Sequence, residues 1–426
     1  MNEKETPVYD QSFSPAALAR LIRKSDFRDF PTIYSDPVKF ARIQAACELA
    51  QSDFSGLDPL VSFEKGGKKI HRSRSLSAEL VLRKVTLNVR RATRVRQPDR
   101  QMIISSLKHL LAEGTPYRVY RLDIKSFYES FDTGQVLAVI NDINTLSPQT
   151  KRLIAKIFEF FMASGGRGIP RGLALSAVTS ELMMSNFDET VKNSIGVFFY
   201  ARYVDDIVVV THALENKTTF LRTAINSLPA GLLLNETKQK VRSAEDRVTP
   251  NTLNNTLFSF TYLGYEFSVK EPLRDRAIPP KRQFRDVVID ISANKLKRYK
   301  TRLCRAFLDF TKTANYQLLQ DRIRFLTSNF SVQDFNTGRR KLAGIFFNYP
   351  HVSCVTGGGL EELDRFLHNA IRGRHGRLFS RSSIMLTNPQ KRNLLRLSFR
   401  RGHEKRIFQY YHPKHINKIQ ECWIHE

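Results

Sequence analysis

The stretch ARYVDDIVVV, residues 201–210, sets two aspartates side by side, Asp205 and Asp206, among strong strand formers. Neighbouring carboxylates repel one another and are poor strand residues, so their placement calls for a partner of opposite charge. A third acid, Asp123, lies 82 residues upstream (205 − 123) in RVYRLDI, residues 118–124, which alternates as a strand does. Three carboxylates brought to one point are relieved by a cation, and oxygen ligands suit Mg²⁺, which keeps waters and takes one or two carboxylates plus substrate phosphates. Two such ions about 3.5–4 Å apart clamp the attacking and leaving oxygens of an in-line phosphoryl displacement. One lowers the pKa of the attacking hydroxyl, and the other neutralises charge on a departing pyrophosphate.

The elements around these residues must bring them together. GQVLAVINDI and KRLIAKIFEFFM carry helical patterns, GGRGIPRG is a loop by its glycines and proline, and LALSAVTSELMMSNFDETV is helical again. GVFFYARYVDDIVVVT reads as two strands that meet near Val204–Asp206. HALENKTTFLRTAINSL is a helix and LFSFTYLGYEFSV a further strand or hairpin. Strand, helices, hairpin, helix and strands in that order give an α+β fold, a split βαβ-type antiparallel sheet backed by helices. Its first strand lies beside the central hairpin, which sets Asp123 against the tip that holds Asp205 and Asp206.

Outside that core, SFSPAALARLIRKSDF (12–27) is expected to be a helix capped by Ser14, and FEKGGKKIHRSRS (63–75) a basic loop or turn. Residues 78–100 crowd arginines among Val, Leu and Thr, and Arg94 and Arg96 are expected to share a strand face. After about residue 285 the pattern is helical; in ANKLKRYKTRLCRAFLDF, Leu296, Tyr299, Leu303 and Phe310 share a face. Residues 372–406 hold eleven Lys/Arg and one acid, Glu404, which suits a nucleic-acid track. The expected division is 1–77, an N-terminal helical extension; 78–270, the core; and 271–426, a helical region with a basic C-terminal extension.

Across 426 residues, 68 Lys and Arg against 41 Asp and Glu give a net charge of +27, an electrostatic footprint for a polyanion. Cys47, Cys304, Cys354 and Cys422 form no Cys-x-x-Cys pair and read as free thiols in a reducing compartment. MNEKETPVYD lacks the apolar core of a signal peptide, and no apolar run approaches the ~20 residues of a membrane span. The expectation is a cytoplasmic protein with no membrane partner. His412, His415, Cys422 and His425 near the C-terminus have a spacing that could hold Zn²⁺, but one cysteine and a helix-like INKIQECWI between them favour a packed or RNA-contacting tail.

Five segments, in this order and spacing, resemble the motifs of reverse transcriptases over about residues 80–270. RLDIKSFYESFD (121–132) is similar to the first catalytic motif; GIPRGLALSAVTSELMMSNFD (168–188) to the template- and nucleotide-contacting motif; ARYVDDIVVV to the Tyr-x-Asp-Asp hairpin; LLLNETKQKV (232–241) to the Leu-Asn-x-x-Lys motif; and TYLGYEF (261–267) to the primer grip. The resemblance implies a right-hand polymerase fold of fingers, palm and helical thumb. It implies two Mg²⁺ held by Asp123, the Ile124 backbone carbonyl, Asp205 and Asp206. Tyr128, five residues after Asp123, stands where the family places a ring that collides with a ribose 2′-hydroxyl and so favours deoxynucleotides; packing in the core would serve it equally. Gly168, Pro170 and Gly172 frame a backbone that runs close to the nascent pair. Arg171 stands where family members commonly have glutamine, and it could stack on the templating base or reach a phosphate. Ser176 and Asn186 match small polar positions of that motif, or are ordinary helix surface. Lys238 matches the proposed general acid to pyrophosphate, with Lys240 a rival two residues on. Arg90, Arg91, Arg94, Arg96 and Arg100 are candidates to grip the triphosphate, Arg94 and Arg96 foremost, or else to bind template through charge alone. Tyr203 is expected to pack under the hairpin near the primer end, and Tyr262, Leu263 and Gly264 to form the primer grip.

Within that family the chain is similar to bacterial enzymes of the group II intron and retron-like superfamily. Its compact size and SPAALARLIRKSDF opening resemble the defence-associated reverse transcriptases, the type-2 group among them. Such a resemblance implies dNTP substrates, a DNA product, and a cognate structured non-coding RNA as template in anti-phage defence, gripped by shape and phosphate. Two alternatives remain at this point: untemplated or protein-primed DNA synthesis in abortive defence, and a non-enzymatic, maturase-like RNA binder. Three intact and mutually repelling acids weigh against the last.

Overall fold

The computed structural model describes residues 9–244, 255–271, 279, 283–333 and 340–423. These fall into two compact units: residues up to Pro98 together with Tyr117–Ser243, and Asp99–Pro116 together with the residues from Ala244 onward. The chain thus leaves the first unit for an 18-residue excursion into the second and returns.

The first unit holds two antiparallel sheets. Strands β1 (Leu60–Lys65) and β2 (Lys68–Ser73) form a hairpin. Strands β3 (Tyr117–Asp123), β4 (Val197–Tyr203), β5 (Asp206–His212) and β6 (Lys240–Ala244) form a sheet in the order β4-β5-β3-β6. Strand β5 is flanked on both sides, and Ile207, Val208, Val209 and Val210 are all completely buried, which is why an unbroken apolar run follows the aspartates. Helix Ala174–Lys192 packs on β4 and on helix Leu76–Thr93. One continuous core joins these through Leu80, Val85, Met184, Phe187 and Ile207. The split antiparallel sheet and its central hairpin are therefore as the element order predicts.

Several expectations fail for identifiable reasons. Segment 12–27 is two helices, Pro15–Ala19 and Lys24–Asp29. Ser14 caps the first as expected, but the chain restarts at Arg23, whose amide donates to the Asp26 carboxylate at 2.7 Å. That buried carboxylate in turn receives two hydrogen bonds from Arg83, at 2.6 and 2.9 Å. Segment 63–75 is a turn only at Gly66–Gly67 and otherwise lies largely in the strands of the β1–β2 hairpin, whose polar residues are mostly solvent-facing and so carry no apolar alternation. Arg94 and Arg96 share no strand. Residues 76–93 are a helix capped by Ser75, Arg94 ends it in the left-handed conformation (φ 55°), and an irregular stretch leads to Asp99.

In the second unit, β7 (Thr256–Tyr262), β8 (Tyr265–Lys270) and β9 (Val287–Ile291) form a meander. Helix Arg100–Leu111 joins it, capped by the Asp99 carboxylate. The region beyond 285 is mainly helical, with β9 and the hairpin of β10 (Asn329–Gln333) and β11 (Arg340–Gly344) as strands the periodicity does not reveal. Helix Ala293–Thr313 buries Leu296, Leu303 and Phe310 along one stripe, and Tyr299 meets Phe399 edge-on at 5.5 Å. Among the described residues, no helix is long and apolar enough to cross a membrane.

Candidate active site

The sheet register places the acids. Asp123, last in β3, is the direct cross-strand partner of Asp206, first in β5, and Tyr203 pairs with Asp206 across the hairpin. The connection is therefore only Val204 and Asp205. Val204 adopts φ +61°, a left-handed conformation that a β-branched residue enters at a cost of about 1–3 kcal/mol. Both carbonyls of the turn are held: the Ile124 amide donates to Asp205 at 3.2 Å and Arg202 Nη1 donates to Val204 at 3.0 Å.

Arg202 is 2% exposed. Its guanidinium forks onto Glu181 (3.1 and 2.6 Å) and onto Asp188 (2.7 and 2.7 Å), both on helix Ala174–Lys192. With the Val204 carbonyl this uses all five of its N–H donors. Tyr200 donates a further hydrogen bond to Asp188 at 2.5 Å. Burial disfavours the Arg202 charge, but the hydrogen bonds and charges of Asp188 and Glu181 outweigh it and raise the pKa.

Asp123 is held from the 232–241 segment. The Asn235 amide donates to its carbonyl (2.7 Å), Asn235 Nδ2 to its carboxylate (3.2 Å), and Lys238 Nζ to both carboxylate oxygens (3.0 Å each). Arg121 Nη2 donates to Asp206 at 3.2 Å. Even so, burial pushes the Asp205 carboxyl above the usual carboxylate range, with Asp123 adding to it against Lys238 and Lys68. Asp206 is raised likewise, by burial first and then by Asp205. Burial, with the acids' mutual repulsion behind it, thus outweighs the cations around Asp205 and Asp206.

Those raised carboxyls are the test of a metal. Among the described residues no group of three or more His, Cys, Asp or Glu side chains is arranged to hold a metal ion by itself. Mg²⁺ needs only one or two carboxylates, with water and substrate phosphate completing its shell, so an all-oxygen, open donor set under mutual repulsion fits it.

Around the acids, Tyr128 is half-buried beneath Arg171, whose guanidinium carbon lies 5.0 Å from the ring centroid. Arg171 is committed to Glu129 by two hydrogen bonds, 2.9 and 3.1 Å, rather than left free for a base. Gly172, at φ +107°, lets β2 approach: a Cβ there would sit 2.5 Å from the His71 carbonyl oxygen, and the His71 amide donates to Arg171 at 2.7 Å. Gly168 likewise backs onto the Tyr128 carbonyl, where a Cβ would sit at 2.2 Å. Ser176 donates to the Pro170 carbonyl in the buried first turn of its helix, and Asn186 is exposed helix surface. Lys240 opens β6 on the surface, while Lys238 alone of the two reaches Asp123.

Arg94 and Arg96 are exposed on the irregular 94–99 stretch, and Arg91 lies over the Tyr9 ring at 5.6 Å. The cation that sequence reasoning missed is Lys68, on the hairpin taken for a loop, whose charge acts on both Asp205 and Glu129. Asn235 was also missed as an anchor of Asp123, although it sits inside a quoted motif. The turn Tyr262–Tyr265 belongs to the second unit. Tyr262 is 1% exposed and packs in that unit's core, and Leu263 (φ 47°) and Gly264 (φ 81°) form the turn itself. At the C-terminus His412 caps helix Pro413–Gln420 and His415 pairs with Asp321 at 3.1 Å, while His425 lies outside the described residues.

Residues 72–267 match the family model described as reverse transcriptase (RNA-dependent DNA polymerase). No curated protein matches the chain in sequence. Among solved structures, apo telomerase from Candida tropicalis, truncated from its C-terminal domain, aligns over 45% of this chain at 14% identity and a TM-score of 0.30. The alignment spans 43% of that chain, less than half its length, and a likeness that slight carries no argument. The matched span, somewhat less than half of the chain, contains Asp123, Asp205, Asp206, Asn235 and Lys238, so that residues 72–267 are similar to a reverse transcriptase domain and carry all three acids of the candidate site within it.

Proposed function

We propose that the protein is an RNA-directed DNA polymerase that adds dNTPs to a 3′-hydroxyl, templated by a structured non-coding RNA in bacterial anti-phage defence. The observation that carries the polymerase reading is the cross-strand pairing of Asp123 with Asp206, with Lys238 on the Asp123 carboxylate. Asp123, Asp205, Asp206 and the Ile124 carbonyl would hold two divalent cations, which when bound activate the attacking hydroxyl and neutralise the leaving pyrophosphate.

The chain's own residues do the rest. Asn235 and Lys238 fix the Asp123 carboxylate, and Lys238 would give a proton to the leaving group. Tyr128, its ring covered by Arg171, excludes a 2′-hydroxyl by bulk. Lys68 is nominated to meet the triphosphate, ahead of Arg94 and Arg96, which would attract template through charge. The backbone of Leu263 and Gly264 would align the primer. The net charge of +27 supports a nucleic-acid partner, and the run of Lys and Arg over 372–406 supports an RNA held by its phosphates. The defence role rests on the resemblance of the opening segment and compact size alone, and a cytoplasmic location goes with it.

Nucleic acid co-purified with the protein from its native host, sequenced alongside the DNA it makes, tests this. A single RNA with complementary DNA is expected. DNA without complementarity to any bound RNA would replace templated synthesis with untemplated or protein-primed synthesis, and RNA with no DNA product under any condition would overturn both.

A further inference from the structure

Arg202 touches none of the acids proposed to act on nucleotides, yet everything it touches fixes the turn that carries one of them. The Tyr203–Asp206 connection has two central residues, and the first is a β-branched valine at φ +61°. Left to itself such a residue relaxes to negative φ, and in a two-residue hairpin loop that rotation re-aims the next residue, Asp205. The Val204 carbonyl is gripped at 3.0 Å by Arg202. Arg202 cannot move to follow it, because Glu181 and Asp188 take its other four N–H groups from a helix that is itself packed in the core.

We infer that Arg202 is a positioning residue for nucleotide transfer: with Glu181 and Asp188 it locks Val204 in the left-handed conformation and thereby sets the orientation of Asp205 beside Asp123 and Asp206. The inference rests on the polymerase reading of those acids, but the lock itself is measurable without it. It also has a specific signature. Glycine adopts positive φ freely, so a glycine at 204 should make the turn far less dependent on the arginine. A role for Arg202 in general stability has no reason to show that dependence.

The full-length protein serves as wild type, Arg202→Lys, Val204→Gly and the double variant, with Ala314→Gly, at another positive-φ position (53°), combined with Arg202→Lys as the control glycine. Two readouts are taken: kcat and KM for Mg²⁺-dependent dNTP incorporation on a homopolymer template and primer, and hydrogen exchange of the Val204, Asp205 and Asp206 amides without substrate. Arg202→Lys is expected to lower kcat at least about tenfold with KM changed less than about twofold, and to speed exchange at those amides at least about tenfold. Val204→Gly should restore most of both losses, and Ala314→Gly neither. Should Arg202→Lys fail to fold, Asp188→Asn, which removes one acid from the fork and keeps the arginine, is expected to show the same pattern in weaker form. A loss that Val204→Gly does not rescue, or unchanged kcat and exchange with only a lower melting temperature, overturns the inference. If the wild type incorporates no nucleotide at all, the polymerase reading falls, and the exchange data still decide whether Arg202 locks the turn.

Discussion

Two hairpin turns in this molecule solve the same problem with opposite charge balance. Both connect their strands through two residues, Val204–Asp205 in the first unit and Leu263–Gly264 in the second, and both begin with a non-glycine residue at positive φ. In both, an arginine donates to the carbonyl of that strained residue: Arg202 to Val204 at 3.0 Å, and Arg100 to Leu263 at 3.2 and 2.6 Å. Arg202 is buried and neutralised by Glu181 and Asp188. Arg100 is half-buried, donates also to the Asn348 carbonyl and lies 4.9 Å from the Tyr265 ring centroid, and no carboxylate is among these partners. The first turn presents carboxylates and shields its anchor's positive charge from them. The second presents uncharged backbone on an anchor whose charge those partners leave uncancelled. A backbone conformation can thus be conserved as a device while its electrostatics are reset by what surrounds the anchor.

The comparison breaks most visibly at the acids. Asp205→Asn should reduce dNTP incorporation about 10³-fold while raising thermal stability by a few degrees, since it removes one of three mutually repelling carboxylates. Incorporation and melting measured on the same preparation check both halves. Next come the anchors. Arg202→Met strands the buried Glu181 and the half-buried Asp188 and should cost about 3–5 kcal/mol, whereas Arg100→Met gives up hydrogen bonds to carbonyls and should cost about 1–2 kcal/mol. Denaturant titrations of the two variants compare them, and equal costs would erase the distinction drawn here. Smaller still are the strained residues: Val204→Gly should gain about 1 kcal/mol and Leu263→Gly less than half of that, because only valine is β-branched.

The smallest lever is pH, and it reaches the second turn. Tyr265 meets Tyr349 edge-on at 5.6 Å, and the Tyr349 carbonyl accepts a 2.8 Å hydrogen bond from His403 Nε2. Burial holds the His403 pKa below its ordinary value despite that hydrogen bond. The unfolded chain therefore binds a proton that the folded chain refuses, so stability from this group is complete above about pH 6.5 and is lost as pH falls from there through the folded pKa. The loss is about 1.4 kcal/mol for each unit by which the folded value is depressed. Wild type should lose more melting temperature between pH 7.5 and 5.5 than His403→Gln does.

How much of this the sequence displays follows from what each residue's neighbours are. The β3–β5 pairing was legible because Val208–Val210 and RVYRLDI carry the alternation and apolar run of strands with buried neighbours. The β1–β2 hairpin was not, because Lys65, Lys68 and Lys69 give it the composition of a loop; Lys68 was lost with it. Helix Leu76–Thr93 ends at Arg94 without a glycine or proline to mark the stop, which let Arg94 and Arg96 beyond it be read as strand. Asp123, Asp205, Asp206 and Lys238 could be named because each lies in a short motif, whereas the Arg202 fork joins residues 14 to 21 positions apart across a helix–sheet contact. Arg171 departs from the family's glutamine, and only the structure finds Glu129 as its partner.

The excursion of Asp99–Pro116 carries a consequence for the order of synthesis. Helix Arg100–Leu111 buries Ile103, Ile104, Leu107 and Leu111, yet the partners that hold its flanks, Leu263 for Arg100 and Arg285 for Ala112 and Thr115, emerge from a ribosome more than 150 residues later. The first unit can be completed once residue 243 is made, with this apolar helix still exposed as a loop between two of its own segments. A chain cut after residue 243 would keep every acid of the candidate site and leave that helix without its partners, so a minimal fragment of this protein is defined by the excursion and not by the motifs.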